Sequence, residues 1–286
     1  MKPTNHTTLQ NIFSDEKVVK VVDGFIFTEG PIWIPKGYLL FSDILASTIY
    51  KWSPSSLTLE IFRRPSWRAN GLTLDKTGRL LACEHDGRVS RTEHNGEVVT
   101  LANSYNGKRL NSPNDIVVRS DGSIYFTDPP FGIINENQKE LNFNGVFRVS
   151  PVGEITLLDD SFRGPNGLAF SPDEKTLYVN DSIDGYIRSF AVKENSLLGK
   201  SKLFAELINS DVEGVPDGMK VDYEGNVFCT GPGGIWVFNQ TGTLLGILKI
   251  PEVPANLGWG GPNMKILYIT AQTGIYQINC TTGGQK

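Results

Sequence analysis

The sequence predicts an all-β fold: a six-bladed β-propeller of four-stranded antiparallel blades, with an N-terminal strand completing the last blade. Three observations lead there. Six times an Asn, Asp or Glu opens a short apolar strand, at Glu29-Gly-Pro-Ile-Trp33, Asn70-Gly-Leu-Thr-Leu74, Asn114-Asp-Ile-Val-Val118, Asn166-Gly-Leu-Ala-Phe170, Asp217-Gly-Met-Lys-Val221 and Asn256-Leu-Gly-Trp259. These anchors lie 41, 44, 52, 51 and 39 residues apart, the period of a supersecondary unit repeated around a ring or along an array. Eight residues after each anchor comes a turn, and the two chain ends are complementary in what they lack.

The turns close at Gly37, Gly78, Gly122, Glu174, Gly225 and Met264. Gly, Pro, Asp and Asn in the residues leading to them favour tight reversals between strands. Apolar second strands follow, such as Leu39-Leu-Phe41 and Leu177-Tyr-Val179. Third strands alternate, as in Ile187-Arg-Ser-Phe190 and Ile275-Tyr-Gln-Ile278, and fourth strands are weaker, as in Leu245-Gly-Ile-Leu248. No stretch of useful length has a helical period. Six such sheets around an axis make a propeller. The chain stops within eight residues of Ile278, so the last blade lacks a fourth strand, whereas Lys17 to Val22 is a strand without a blade. Pairing the two removes an exposed sheet edge.

The 286 residues read as one domain, with residues 1–15 a flexible or loosely packed tail. Hydrophobic residues at 39%, charged residues at 20% and a net charge of −4 suit a globular protein with a large core. That balance argues against a nucleic-acid partner, which selects basic surfaces. No apolar run is long enough to span a bilayer, and Met1 to Asp15 lacks the pattern of a secretory signal, so the expected location is cytoplasmic. Cys83, Cys229 and Cys280 have no metal-ligand spacing and are expected as buried thiols.

Antiparallel pairing puts the start of each first strand beside the finish of each second. One mouth of the channel therefore collects the anchors and the finishing residues Asp43, Glu84, His85, Asp128, Asp181, Thr230 and Gln272. Asp128-Pro-Pro-Phe-Gly132 begins the longest excursion between strands, to about Gly145, and is a candidate lid. Glu29, Asn166 and Asp217, with Asn114 as a fourth donor, make an oxygen-rich set suited to a hard divalent cation. The alternative is that they cap strand starts and bind channel water. His94 falls in a hairpin turn and His85 at the mouth without a second His, so neither marks a nucleophile, and no Gly-x-Ser-x-Gly elbow is present.

Glu29-Gly-Pro-Ile-Trp33, Asn111-Ser-Pro-Asn-Asp115, Phe126-Thr-Asp-Pro-Pro-Phe-Gly132, Gly164-Pro-Asn-Gly-Leu-Ala-Phe170 and Pro216-Asp-Gly-Met219 resemble the gluconolactonase, regucalcin and luciferin-regenerating-enzyme family, the microbial gluconolactonase branch above all. The resemblance covers essentially the whole chain after the tail, with motifs in register with every repeat. It implies one catalytic divalent cation in the channel, Ca²⁺ foremost with Mg²⁺, Mn²⁺ or Zn²⁺ as alternatives. Glu29, Asn166 and Asp217 fall on the metal ligands, and Asn114 on the Asn that touches metal or substrate. Ser112 stands where regucalcin-like members carry an Arg, and Arg109 is the candidate replacement as a substrate contact.

The implied function is hydrolysis of small lactones, with the cation polarising the carbonyl and Asp217 activating water. Asp128 or Asp181 is the alternative base, and Asp128, Asn114 and Arg109 are the expected substrate contacts. A related hydrolase of other esters or organophosphates, or a calcium-binding scaffold without catalysis, are the competing classes.

Overall fold

A computed structural model describes residues 8–14 and 17–284. Six four-stranded antiparallel sheets follow one another along the chain, each ordered first to fourth strand from the inside outward. Their first strands are Thr28–Ile34, Ala69–Leu74, Ile116–Val118, Pro165–Phe170, Met219–Val221 and Pro254–Gly260. Each of these packs against the next, and the sixth returns to the first, so the sheets form a closed six-bladed propeller. A two-stranded hairpin, Ser104–Tyr105 with Lys108–Arg109, stands outside the blades.

All six expected turns form. Gly37, Gly78, Gly122, Glu174, Gly225 and Met264 each donate a backbone N–H to the residue three positions earlier. All six have positive φ, including 55° at Glu174 and 54° at Met264. Four of the six are glycine because an L side chain disfavours that conformation.

The core is divided among the blade interfaces. Leu39 and Phe41 pack with Tyr268 and Ile275 of the sixth blade, while the intervening Leu40 packs with Leu72 and Leu80 of the second. Alternation along a strand thus sends successive side chains to opposite neighbours. The same division places Tyr125 against the fourth blade and Phe126 against the second.

Close packing at the axis depends on the residue after the anchor. A Cβ on Gly30 would lie 2.1 Å from the Asn70 carbonyl oxygen, one on Gly71 2.6 Å from that of Asn114, and one on Gly167 2.1 Å from that of Asp217. No side chain fits such gaps. With glycine there, the Gly71 N–H reaches the Asn114 carbonyl at 2.8 Å. Hydroxyls complete the ring, with Ser42 donating to the Asn70 carbonyl and Thr127 to that of Asn166, each at 2.8 Å.

The sixth blade takes its outer strand from the N-terminus. Val19–Asp23 pairs antiparallel with Gly274–Asn279, Val19 opposite Gln277 and Asp23 opposite Gly274. Residues 8–14 correct the expectation of a loose tail: Leu9–Ile12 forms one helical turn, Phe13 bridges to Cys280, and Ile12 and Phe13 are buried among Phe228, Trp259 and Ile278. Their apolar side chains are large enough to repay ordering the segment. The rest of residues 1–15 lies outside the described residues. Cys83, Cys229 and Cys280 are all buried. Among the described residues no helix is long and apolar enough to cross a membrane.

Deleting residues 1–23 removes a paired strand and two buried apolar side chains, and is expected to lower Tm by at least roughly 10 °C. An unchanged Tm in thermal denaturation would show that the sixth blade is stable with three strands.

Candidate active site

Four of the six inner strands are bulged at the channel mouth, which helps to converge the anchors. Between Glu29 and Ile32, Ala69 and Leu72, and Pro165 and Leu168, one residue more is present than on the facing strand. A bulge re-aims the side chain beside it. Glu29 is 1% exposed and accepts hydrogen bonds on Oε2 from the Gly30 N–H at 2.7 Å and the Asn256 amide at 2.9 Å. Asn166 donates its amide N–H to Ser182 Oγ at 2.9 Å, while its Oδ1 is buried with no donor. Asp217 is half-buried in the same ring, beside Asn166.

Two acids in such a place cannot both ionise cheaply. Burial, followed by the charge of Asp115, pushes Glu29 up to about 7. Asp217 is raised well above the ordinary carboxyl range by burial, then by Glu29 and Asp115. Each carboxylate opposes ionisation of the other, so without a counter-ion the pair holds a proton above the ordinary carboxyl range. A divalent cation would relieve this repulsion and give the orphaned Asn166 oxygen a partner, so these residues fit the oxygen-donor chemistry of a hard ion. Among the described residues no group of three or more His, Cys, Asp or Glu is placed to hold an ion. The candidate set is two carboxylates completed by amide oxygens.

The other expected site residues fall elsewhere. Asp128 is fully buried, with Oδ2 accepting the Asn111 N–H at 2.8 Å and Oδ1 unpartnered. It supports the loop entering the third anchor and does not face the channel as a substrate contact. Asp181, by contrast, is saturated by the N–H groups of Arg163, Gly164, Ile183 and Asp184, which removes it as an alternative base. Asp43 holds the N–H groups of Ile26 and Phe27 in the same way. Asp43, Asp128 and Asp181 thus clamp the loops just before the first, third and fourth anchors.

Asn114 is 4% exposed; its backbone N–H bonds to the Thr127 carbonyl and its own carbonyl receives Gly71. Arg109 lies against Gly87 and spends Nη1 on the Leu110 and Asn111 carbonyls, both at 3.0 Å. It staples its own loop.

The lid candidate is pinned at its base. Ser112 Oγ donates to the Pro129 carbonyl and accepts the Gly132 N–H at 2.9 Å, and Arg68 Nη1 donates to the Gly132 carbonyl at 2.8 Å. Ser112 itself is fully buried, so no substrate contact passes to it from the Arg of the regucalcin-like members. Further along, the excursion turns through a 3₁₀ segment, Glu136–Gln138, and buries Leu141 against the second and third blades. His85 lies under Gly132, with Nε2 3.0 Å from the Asn70 amide nitrogen. Burial and the Arg68 charge lower it to about 4, so it is neutral at pH 7.

The family model for the SMP-30/gluconolactonase/LRE-like region matches residues 27–273. The chain belongs to this family. It is 35% identical to the gluconolactonase of Zymomonas mobilis subsp. mobilis, over 90% of this chain and 80% of that protein. It is 27% identical to the pentonolactonase of Haloferax volcanii, over 90% of this chain and 86% of that protein. A gluconolactonase structure from Xanthomonas campestris superposes with a TM-score of 0.88 at 32% identity, covering 96% of this chain and 93% of that one.

Two residues of this gluconolactonase-family chain escape a reading of single motifs. Asp115 occupies the position that is glycine after Glu29, Asn70, Asn166 and Asp217. It is 2% exposed, with Oδ1 accepting the Ile116 N–H at 2.9 Å and Oδ2 buried without a donor. Its departure from the glycine pattern was the available signal. Asn256, expected only to start a strand, also holds the Glu29 carboxylate; that contact joins residues from opposite ends of the sequence.

Burial raises Asp128 from 3.8 to about 7. Between these values the folded chain keeps a proton that the unfolded chain has lost, so stability falls as pH rises through the window, by at most about 4 kcal/mol. Asp128→Asn removes that contribution. The variant's Tm, measured against wild type from pH 4 to 7.5, is expected to gain as pH rises; parallel profiles would show that Asp128 is ionised throughout.

Proposed function

We propose that the protein is a metal-dependent lactonase that opens the ester ring of small sugar-type lactones at the anchor mouth. One observation carries this reading: the mutually repelling carboxyls of Glu29 and Asp217 stand with a buried Asn166 amide oxygen that has no donor. Family membership and the gluconolactonase and pentonolactonase relatives support the substrate class. Glu29, Asn166 and Asp217, with Asn114 beside them, would hold a divalent cation, and an all-oxygen set favours Ca²⁺ over softer ions. When bound, the cation supplies the positive charge that polarises a lactone carbonyl and stabilises the oxyanion of water attack.

The remaining chemistry belongs to the side chains. Asp217, the half-buried member of the pair, takes a proton from the attacking water and returns it to the ring oxygen as the ester bond breaks. The product is the open hydroxy acid. Asn256 keeps one Glu29 oxygen in place, so that carboxylate does not swing when its charge is needed. The Pro129–Gly132 turn, fixed by Ser112 and Arg68, gives the mouth a rigid wall.

Asp217→Asn is expected to lower kcat by roughly 10²–10⁴-fold, the range for loss of a general base. Metal-free stability at pH 8 should be unchanged or higher, because the charge repulsion with Glu29 is gone. Turnover near the wild-type rate would exclude Asp217 as the base.

Chelation should reduce hydrolysis of gluconolactone and a pentonolactone at least about 100-fold, with Ca²⁺ restoring it. An acid-release assay that includes an aliphatic lactone and a phosphotriester separates the classes. Full activity in EDTA would defeat the metal assignment, preference for the phosphotriester would defeat the lactone assignment, and no turnover of any substrate would point to a scaffold.

A further inference from the structure

A cavity of about 790 Å³ opens at the opposite end of the channel from the anchors, among the turns that join first and second strands. Its volume lies in the range of roughly 300–1,000 Å³ usual for small-molecule pockets, which are mostly apolar with a few convergent polar groups. Ile32, Leu72, Ile116, Val118 and Phe170 of four different blades give it an aliphatic and aromatic wall.

Its polar groups are unequal in how far they are satisfied. The carboxylates on its wall, Asp75 and Glu174, already have partners. Asp75 accepts from Thr77 and Arg79, and Glu174 accepts the N–H of Ser120 at 2.8 Å and also its hydroxyl. The lysines are less occupied. Among the described residues Lys36, Lys76 and Lys220 form no ion pair, and the Lys220 ammonium donates only to the Met219 carbonyl, at 3.1 Å. Arg119 is already engaged: its Nη1 pairs with Asp121 and donates to Ser196, and its Nε lies 3.9 Å from the Glu174 carboxylate. The cavity therefore offers apolar surface and spare donors, and its acceptors are engaged.

We propose that this end of the channel binds a small amphiphilic carboxylate, its hydrocarbon body between the first strands and its head group on the Lys220 ammonium. The complementarity is of charge as well as polarity: an ammonium partly withdrawn from water gains most from an anion that completes its three donors. An alcohol of the same chain length would bury the same hydrocarbon without that gain. The cavity opens away from the anchor mouth, with the Lys220 charge also felt by Asp115 and Glu29 at the axis, and the inference does not rest on lactone hydrolysis.

Isothermal titration of the full chain with octanoate and with octan-1-ol tests it. Octanoate is expected to bind at one site per chain, at least about tenfold more tightly than octan-1-ol, the discrimination of a single charge-assisted hydrogen bond. Lys220→Met should bring the two ligands to within about twofold of each other. Val118→Trp, which fills the cavity from the third blade, should abolish binding of both. No saturable octanoate binding, equal affinities in the wild type, or discrimination that survives Lys220→Met would overturn the proposal. The Lys220→Met comparison stays decisive should the bulkier variant not fold.

Discussion

Everything at the axis depends on backbone approaching backbone where a methyl group would not fit. With Gly30, Gly71 and Gly167 after their anchors, each inner strand lies against the carbonyl of the next anchor, and the ring is narrow enough for side chains from different blades to meet. Glu29 reaches Asn256, and Asp217 reaches Asn166, only because the strands carrying them are this close. The entropic cost of glycine in a strand is recovered as hydrogen bonds and as a channel of defined width. Leu257 after Asn256 and Asp115 after Asn114 depart from this pattern, and Asp115 adds a third carboxyl to those of Glu29 and Asp217.

The mouth holds two populations of carboxylate that look alike in sequence and differ in what surrounds them. Asp43 and Asp181 are saturated by backbone N–H groups, and Asp128 is turned inward to Asn111. Their work is to fix the loop that delivers the next anchor. Glu29 and Asp217 instead press on each other, and the oxygen of Asn166 beside them lacks a donor. A saturated acid is spent on structure, whereas an unsatisfied one retains energy that a ligand can release.

The fold was legible because its signals are local. A turn eight residues after each anchor needs only a few neighbouring residues to form, and even the non-glycine positions Glu174 and Met264 adopt the required backbone. The N-terminal strand could be inferred from a deficit at the other end of the chain. The site was legible in part. Glu29, Asn166 and Asp217 were marked by their place in the repeat, but no local pattern separates a loop clamp such as Asp128 from an acid facing the channel. Ser112 and Arg109 became interpretable only through the carbonyls they hold, and Ile12 and Phe13 only through the fifth- and sixth-blade residues they cover.

The pairing of Val19–Asp23 with Gly274–Asn279 also sets an order of events in synthesis. Hairpins within each blade join nearby residues and can form as they leave the ribosome, but closure joins distant ones, as where Thr28 Oγ1 bonds to the Gly274 carbonyl 246 residues away. Until the last blade emerges, the nascent chain is an open arc with an unpaired edge at each end. A transcript cut short in that blade yields a protein with most of its core and no means of shutting it, a species inclined to join its edges to those of other molecules.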